Sequence, residues 1–264
     1  MLKLRGGIAA IAFICLSSSA HAADPLAAGR EALAEDNPGD LWVQVGERLF
    51  HEKRGPKKAS LEQCDFGLGP GKLEGAYAHL PRYFPDTDKV QDLESRLLTC
   101  MMTLQGFSRE EAIKYHFGDD DHMSNMEALS AFVASKSNGK TMDVALSNQK
   151  EYDMFKAGEY IFYRRSGPLD FACSTCHTEK GKRVRLQDLP DMNDPQEIRA
   201  VVAGWPAYLG TKSRVLTMQA RLYECVWQMR MPDLGYLSDM SIALTTYLNH
   251  KGNGAVIKAP GVRR

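Results

Sequence analysis

The chain has 264 residues, and Lys plus Arg equals Asp plus Glu at 33 each. The length suits one large domain or two small ones, and the even charge argues against a nucleic-acid binder with a broad basic face. Past the N-terminus no segment approaches eighteen consecutive apolar residues, so no membrane span is expected.

Lys3 and Arg5 precede an apolar run, Ile8 to Leu16, and the small-residue close Ala20-His21-Ala22. This is the pattern of a secretory signal over residues 1–22, with cleavage after Ala22. Cys15 leaves with it. The mature chain is expected to be soluble and exported, to a compartment that permits disulfides and covalent haem, the periplasm in this reading. Residues 23–40 read as an N-terminal extension, because Asp24 to Gly39 is Ala-rich and then carries Pro and Gly.

From Leu41 the spacing of apolar residues is helical, and the chain then repeats itself. Gly46-Glu47-Arg48-Leu49-Phe50 recurs as Gly158-Glu159-Tyr160-Ile161-Phe162, a shift of 112 that also carries Gly55-Pro56 onto Gly167-Pro168 and Cys64 onto Cys176. At a shift of 125, Leu80-Pro81-Arg82-Tyr83 answers Trp205-Pro206-Ala207-Tyr208, and Arg96-Leu97-Leu98-Thr99-Cys100 answers Arg221-Leu222-Tyr223-Glu224-Cys225. At a shift of 115, Leu129, Phe132, Val133, Lys136 and Asn138-Gly139 match Leu244, Tyr247, Leu248, Lys251 and Asn253-Gly254. Three ordered matches with both cysteines in register point to an internal duplication. The reading is mainly α: two tandem domains, 41–140 and 141–264, joined near the polar stretch Ser137 to Asn148. Strand signals are sparse, with Arg183 to Leu186 as one short extended piece. A longer loop is expected in the second half around Leu186 to Ile198, where the shift grows from 112 to 125.

The second half carries Cys173-Ser174-Thr175-Cys176-His177. C-x-x-C-H is the attachment signature of a c-type haem: two thiols add to the two vinyl groups, and the His supplies the proximal iron nitrogen. A structural disulfide or half a zinc site would need partners that the chain does not offer. The first half has Leu61 in place of the first thiol and Asp65 in place of the His. It can neither doubly tether nor ligate a porphyrin, so one haem c is expected and the first cytochrome c-like domain lacks haem.

Of the remaining thiols, Cys64 and Cys100 sit where a tether and a distal residue would stand. In an oxidising compartment they are expected to pair, closing a loop of about 36 residues and contributing roughly 3–4 kcal/mol. The alternative is two unrelated buried thiols. Cys225 is then the odd cysteine and a candidate distal iron ligand, with Met231 as its rival because Met is the ordinary distal ligand of electron-carrying c cytochromes. The repeat favours Cys225, which has a partner in Cys100, whereas Met231 has none. Arg221 lies one helical turn before Cys225 and shares its face. A guanidinium beside a reactive sulfur suits a sulfonate, while a salt bridge or a haem-propionate contact is the plainer use. The histidines His51, His79, His116, His122 and His250 read as surface or core-edge residues, and Met218, Met229 and Met240 as reserve ligands only.

These residues resemble the SoxA subunit of the SoxAX cytochromes of bacterial sulfur oxidation, over essentially the whole mature chain. The specific marks are Ser60-Leu61-Glu62-Gln63-Cys64-Asp65, Gly69 to Ala76, Asp92 to Leu97, the Cys173–His177 motif and Arg221 to Cys225. Some members carry two haems, and the departures at Leu61 and Asp65 make this chain similar to the single-haem type. The resemblance implies L-cysteine S-thiosulfotransferase activity: a heterodimer with the small cytochrome SoxX joins thiosulfate oxidatively to a cysteine of the carrier SoxYZ, and two electrons leave through haem. It implies His177 as proximal ligand, Cys225 as distal ligand and persulfide-bearing active residue, and Arg221 as the substrate-binding position. The competing reading is a periplasmic electron carrier with His177/Met231 ligation and no substrate; a third is a scaffold with a structural haem.

Overall fold

The computed structural model describes residues 36–118, 122–184 and 187–263. The signal segment 1–22, most of the expected extension, and Arg185 and Leu186 of the short extended piece lie outside the described residues. Two long-helix pairs form the frame. In the first half, α1 (Asp40–His51) packs on α4 (Asn125–Ser135); in the second, α5 (Gln149–Tyr163) packs on α9 (Asp239–Lys251). Helix α1 buries Trp42, Gly46, Leu49 and Phe50, a single face at helical spacing. Ser124, Asn148 and Ser238 cap α4, α5 and α9 with their side-chain oxygens.

The duplication is repeated atom for atom where the helices cross. A Cβ added to Gly46 would sit 2.0 Å from the Ala128 carbonyl oxygen and 2.8 Å from Phe132 Cβ; one added to Gly158 would sit 2.0 Å from the Ala243 carbonyl oxygen and 2.8 Å from Tyr247 Cβ. Only glycine lets the two backbones approach this closely.

Each half then inserts a short antiparallel hairpin after an X-Pro step. In the first, β1 (Arg82–Phe84) pairs with β2 (Lys89–Gln91); in the second, β5 (Ala207–Leu209) pairs with β6 (Arg214–Leu216). The sequence signals neither hairpin, because three-residue strands are too short to show period-two alternation. Residues 183–184 (β3) do pair, with 187–188 (β4). The longer stretch of the second half holds this hairpin and α7 (Pro195–Val202). Strand β7 (Gly261–Arg263) runs parallel to β5 and gives the second hairpin a third strand, which the first lacks among the described residues.

Each hairpin leads into the helix that carries the Arg-x-x-x-Cys sequence: α2 (Leu93–Cys100), capped by Asp92, and α8 (Met218–Gln228), capped by Thr217. The small helices α3 (Arg109–Ala112) and α6 (Cys173–His177) complete the α-helices among the described residues. The starts of α2 and α8 meet and exchange hydrogen bonds. Gln219 Nε2 donates to Asp92 Oδ2 at 2.5 Å, and Thr217 Oγ1 donates to Glu94 Oε1 at 2.8 Å. Because 92 and 217, and 94 and 219, are repeat mates, the two bonds are related by a pseudo-twofold. One apolar core runs through both halves. No helix among the described residues is long and apolar enough to cross a membrane.

Candidate functional site

The C-x-x-C-H segment forms one short helix, α6. The Ala172 amide donates to Thr175 Oγ1 at 3.0 Å, and Thr178 Oγ1 donates to the Ser174 carbonyl at 2.7 Å, closing its two ends. The next stretch wraps back, with the Met192 amide on the His177 carbonyl. His177 Nδ1 donates to the Pro190 carbonyl at 3.0 Å. A carbonyl can only accept, so the proton sits on Nδ1 and Nε2 keeps its lone pair for a metal. Burial holds His177 below the usual imidazole range, and Arg221 adds to that depression.

Cys173, Cys176 and Cys225 are free, half-buried thiols. Burial pushes Cys173 up to about 12, with the nearby sulfurs of Cys225 and Cys176 raising it further. Burial also raises Cys225, against the opposing pull of Arg221 and with a contribution from Cys176. The three sulfurs, His177 and Arg221 therefore act on one another electrostatically across one site. Met231 packs partly buried against the core, its amide bonded to the Val226 carbonyl. Met218 is buried in the core and Met240 is exposed. His51 pairs with Glu62, His79 and His250 bond backbone carbonyls, and His116 stacks on Tyr236.

The first half shows the same positions differently equipped. Cys64 and Cys100 form a disulfide with Cα atoms 5.6 Å apart, as expected from the cysteine accounting. Asp65, at the His177 position, accepts from the amides of Gly67 and Gly69 at 2.6 and 2.9 Å. Arg96 is buried: Nη1 reaches both oxygens of Asp86 at 2.9 and 2.8 Å and Gln91 at 3.2 Å, Nε donates to the Asp65 carbonyl at 2.5 Å, and the guanidinium lies 4.1 Å over the Phe84 ring. A cleft of about 470 Å³ opens beside Asp65, Arg96 and Cys100. At the shift of 125 the partners Asp86 and Gln91 become Thr211 and Leu216. Arg221 accordingly keeps one hydrogen-bond partner among the described residues, Glu224 at 3.4 Å, and its side chain is 38% exposed.

A model of the family described as SoxA/TsdA, cytochrome c domain, matches residues 45–142 and 157–257. The chain belongs to the SoxA/TsdA cytochrome c family. Both halves are thus cytochrome c domains, and haem c is the group such domains carry. The donor set fits it: an imidazole with a free Nε2, two thiols on the same short helix and a third thiol, Cys225, that acts on them electrostatically. Among relatives, a protein of Hydrogenophilus thermoluteolus named L-cysteine S-thiosulfotransferase subunit SoxA is 42% identical over 97% of this chain and 98% of its own length. One of the same name from Hydrogenobacter thermophilus is 32% identical over 99% of this chain and 96% of its own. The crystal structure of SoxXA from P. pantotrophus shares the fold, with a TM-score of 0.73 at 23% identity, covering 90% of this chain and 84% of that one.

Sequence reasoning missed Pro190, whose role is played by a backbone carbonyl and leaves no side-chain signal; only its place in the longer loop hinted at it. It also missed Glu224, which pairs with both Lys212 and Arg221.

Proposed function

We infer that the chain is the thiosulfate-conjugating subunit of a SoxAX-type enzyme, an L-cysteine S-thiosulfotransferase with one haem c in its second half. The reaction joins the outer sulfur of thiosulfate to a cysteine thiol of a SoxYZ-like carrier protein. A sulfur–sulfur bond forms, the thiol proton is released and two electrons leave, so charge and atoms balance. Haem c, when bound, supplies one-electron acceptance; the second electron needs a centre in the partner, a SoxX-like small cytochrome.

The chain's own residues divide the work. Cys173 and Cys176 would hold the haem covalently, and His177 would offer it Nε2 because the Pro190 carbonyl occupies the Nδ1 side. Cys225 would supply a further sulfur ligand to that haem and serve as the active sulfur, able to carry a persulfide, which ionises more readily than a thiol. Arg221 orients the sulfonate through planar, multi-donor hydrogen bonds. The domain at 41–140 carries no haem, since Leu61 and Asp65 remove a tether and the ligand and the disulfide consumes the remaining thiol. The domain at 141–264 carries the chemistry, and the leader at 1–22 sends the chain to the periplasm.

The observation that supports this reading most is the contrast between the two copies of Arg-x-x-x-Cys. One has its guanidinium neutralised and its sulfur locked in a disulfide; the other has a free thiol and an arginine whose partners have been replaced. The test is Cys225→Ala in the haem-loaded heterodimer. Conjugation of thiosulfate to the carrier is expected to vanish while haem remains attached. Turnover at the natural rate, or a near-infrared charge-transfer band of Met ligation in the natural protein, would overturn it in favour of the electron-carrier reading.

A further inference from the structure

The two hairpins carry the same turn with opposite charge. The Thr87 amide donates to the Phe84 carbonyl at 3.3 Å, and the Lys212 amide donates to the Leu209 carbonyl at 3.0 Å. Asp88 and Ser213, mates at the shift of 125, both take a positive φ, 55° and 51°. The first turn is acidic: Asp86 binds Arg96 on α2, and Asp88 takes Lys150 and the Tyr83 hydroxyl. In the second turn those acids are Thr211 and Ser213, and Lys212 stands where the first has Thr87. The acid has moved to the helix, where Thr99 of α2 becomes Glu224 of α8. The ion pair between turn and helix is therefore inverted.

Glu224 joins two cations. Lys212 Nζ donates to Oε1, and Arg221 Nη1 donates to Oε2 at 3.4 Å. The Glu224 side chain is 12% exposed, whereas those of Lys212 and Arg221 are 40% and 38% exposed. The acid is the inner member and the cations face outward. One negative charge against two positive ones leaves a surplus. Even beside Glu224, Lys212 is held below the usual lysine range, by burial first and then by Arg214 and Arg221, with Glu127 opposing. Lys212 has three N–H donors and Arg221 five, and among the described residues each spends its side chain on Glu224 alone. Cations that hold the two oxygens of one carboxylate are spaced to hold two oxygens of one small oxyanion. Arg221 lies one turn before Cys225 on α8, so an anion gripped there sits beside the free thiol.

We propose that Lys212 is the second cation of the anion site at Arg221, and that the pair fits this site to a divalent tetrahedral oxyanion. This deepens the functional reading given above and rests on its assignment of Arg221 to the substrate. Thiosulfate carries two negative charges, and a turn lysine with a helix arginine matches both. The site therefore ranks dianions above monoanions of the same shape.

The experiment uses the haem-loaded heterodimer with the natural chain, Lys212→Gln or Lys212→Arg. It reads conjugation kinetics with thiosulfate, and binding of sulfate and methanesulfonate by calorimetric titration, which needs no turnover. Lys212→Gln is expected to raise thiosulfate KM about tenfold with kcat within about twofold, the lower end of a lost charge-assisted contact. Sulfate should weaken about tenfold and methanesulfonate only about threefold, because halving the ligand charge halves the Coulomb energy lost. Lys212→Arg should keep both affinities within about threefold, since the charge remains. Folding is a separate readout: Tm of Lys212→Gln should stay within about 3 °C, as a partly exposed ion pair contributes little. A Lys212→Gln protein with natural KM and natural sulfate affinity overturns the proposal and leaves Lys212 a tie between turn and helix. Equal weakening of sulfate and methanesulfonate overturns it too, because a change of turn shape treats both alike. A natural chain that fails to conjugate thiosulfate sinks the functional reading alone; the sulfate ratio between the natural chain and Lys212→Gln then decides the two-cation site by itself.

Discussion

Replacing each repeated arginine by glutamine is expected to give opposite results in the two halves. Arg96→Gln removes a guanidinium that reaches Asp86, Gln91 and the Asp65 carbonyl and covers Phe84. Breaking a buried ion pair costs about 3–5 kcal/mol, and Asp86, 55% exposed, can be rehydrated, which places the loss near the lower end, at about 3 kcal/mol. For a chain of this size that is a fall of roughly 6–12 °C in Tm. Thiosulfate kinetics should not move. Arg221→Gln removes one long contact to Glu224 on a partly exposed side chain, worth less than about 0.5 kcal/mol. Under the proposed function it also removes charge-assisted bonds to the sulfonate worth about 1.5–3 kcal/mol, a rise in thiosulfate KM of roughly 10- to 150-fold. The assays are calorimetry and steady-state conjugation in the haem-loaded heterodimer. Equal Tm losses in both variants, or an unchanged KM in Arg221→Gln, would refute the argument that the second copy was stripped of partners to receive an anion.

Further outcomes follow from the fold. Reducing or replacing the Cys64–Cys100 bond, which closes a separation of 36 residues, should cost about 4 kcal/mol on the chain-entropy estimate, read by urea denaturation with and without reductant; a loss under about 1 kcal/mol contradicts it. Gly46→Ala and Gly158→Ala should each destabilise by more than about 3 kcal/mol, since the new methyl falls 2.0 Å from a backbone oxygen; a stable Gly158→Ala protein would mean that the helices can separate. Burial raises Glu94 to about 8 and Glu127 to about 9. The folded state then holds protons that the unfolded state releases near the ordinary carboxylate value of 4.5, so stability falls as pH rises from there to about 9. Glu127→Gln should flatten that slope, being near neutral at pH 5 and stabilising at pH 9; parallel pH curves for variant and parent would contradict it.

The duplication was legible because its anchors are residues with rigid local demands: Gly46 and Gly158 at helix crossings, Pro81 and Pro206 before the hairpins, Cys100 and Cys225 on matched helices. The Cys64–Cys100 pairing was legible because the haem signature claims two of five thiols and the repeat aligns the rest. The hairpins were not, since strands of three residues carry no periodic signal. Nor was the Pro190 bond to His177, where the acceptor is backbone and any residue type could supply it. Glu127 is similar: a carboxylate at a helix start looks like a solvated cap partner until burial on every side is seen.

The crossed bonds between Asp92 and Gln219 and between Glu94 and Thr217 bear on why the chain keeps a half without the attachment motif. Such reciprocal contacts are what two identical subunits make across a twofold axis, so the two halves of this chain meet with the geometry of a pseudo-dimer. The first turn of α8 lies against that seam, and Arg221 and Cys225 follow it along the same helix. A chain cut down to residues 141–264 would therefore lose the abutment at the start of α8, for which the first half is a fixed footing.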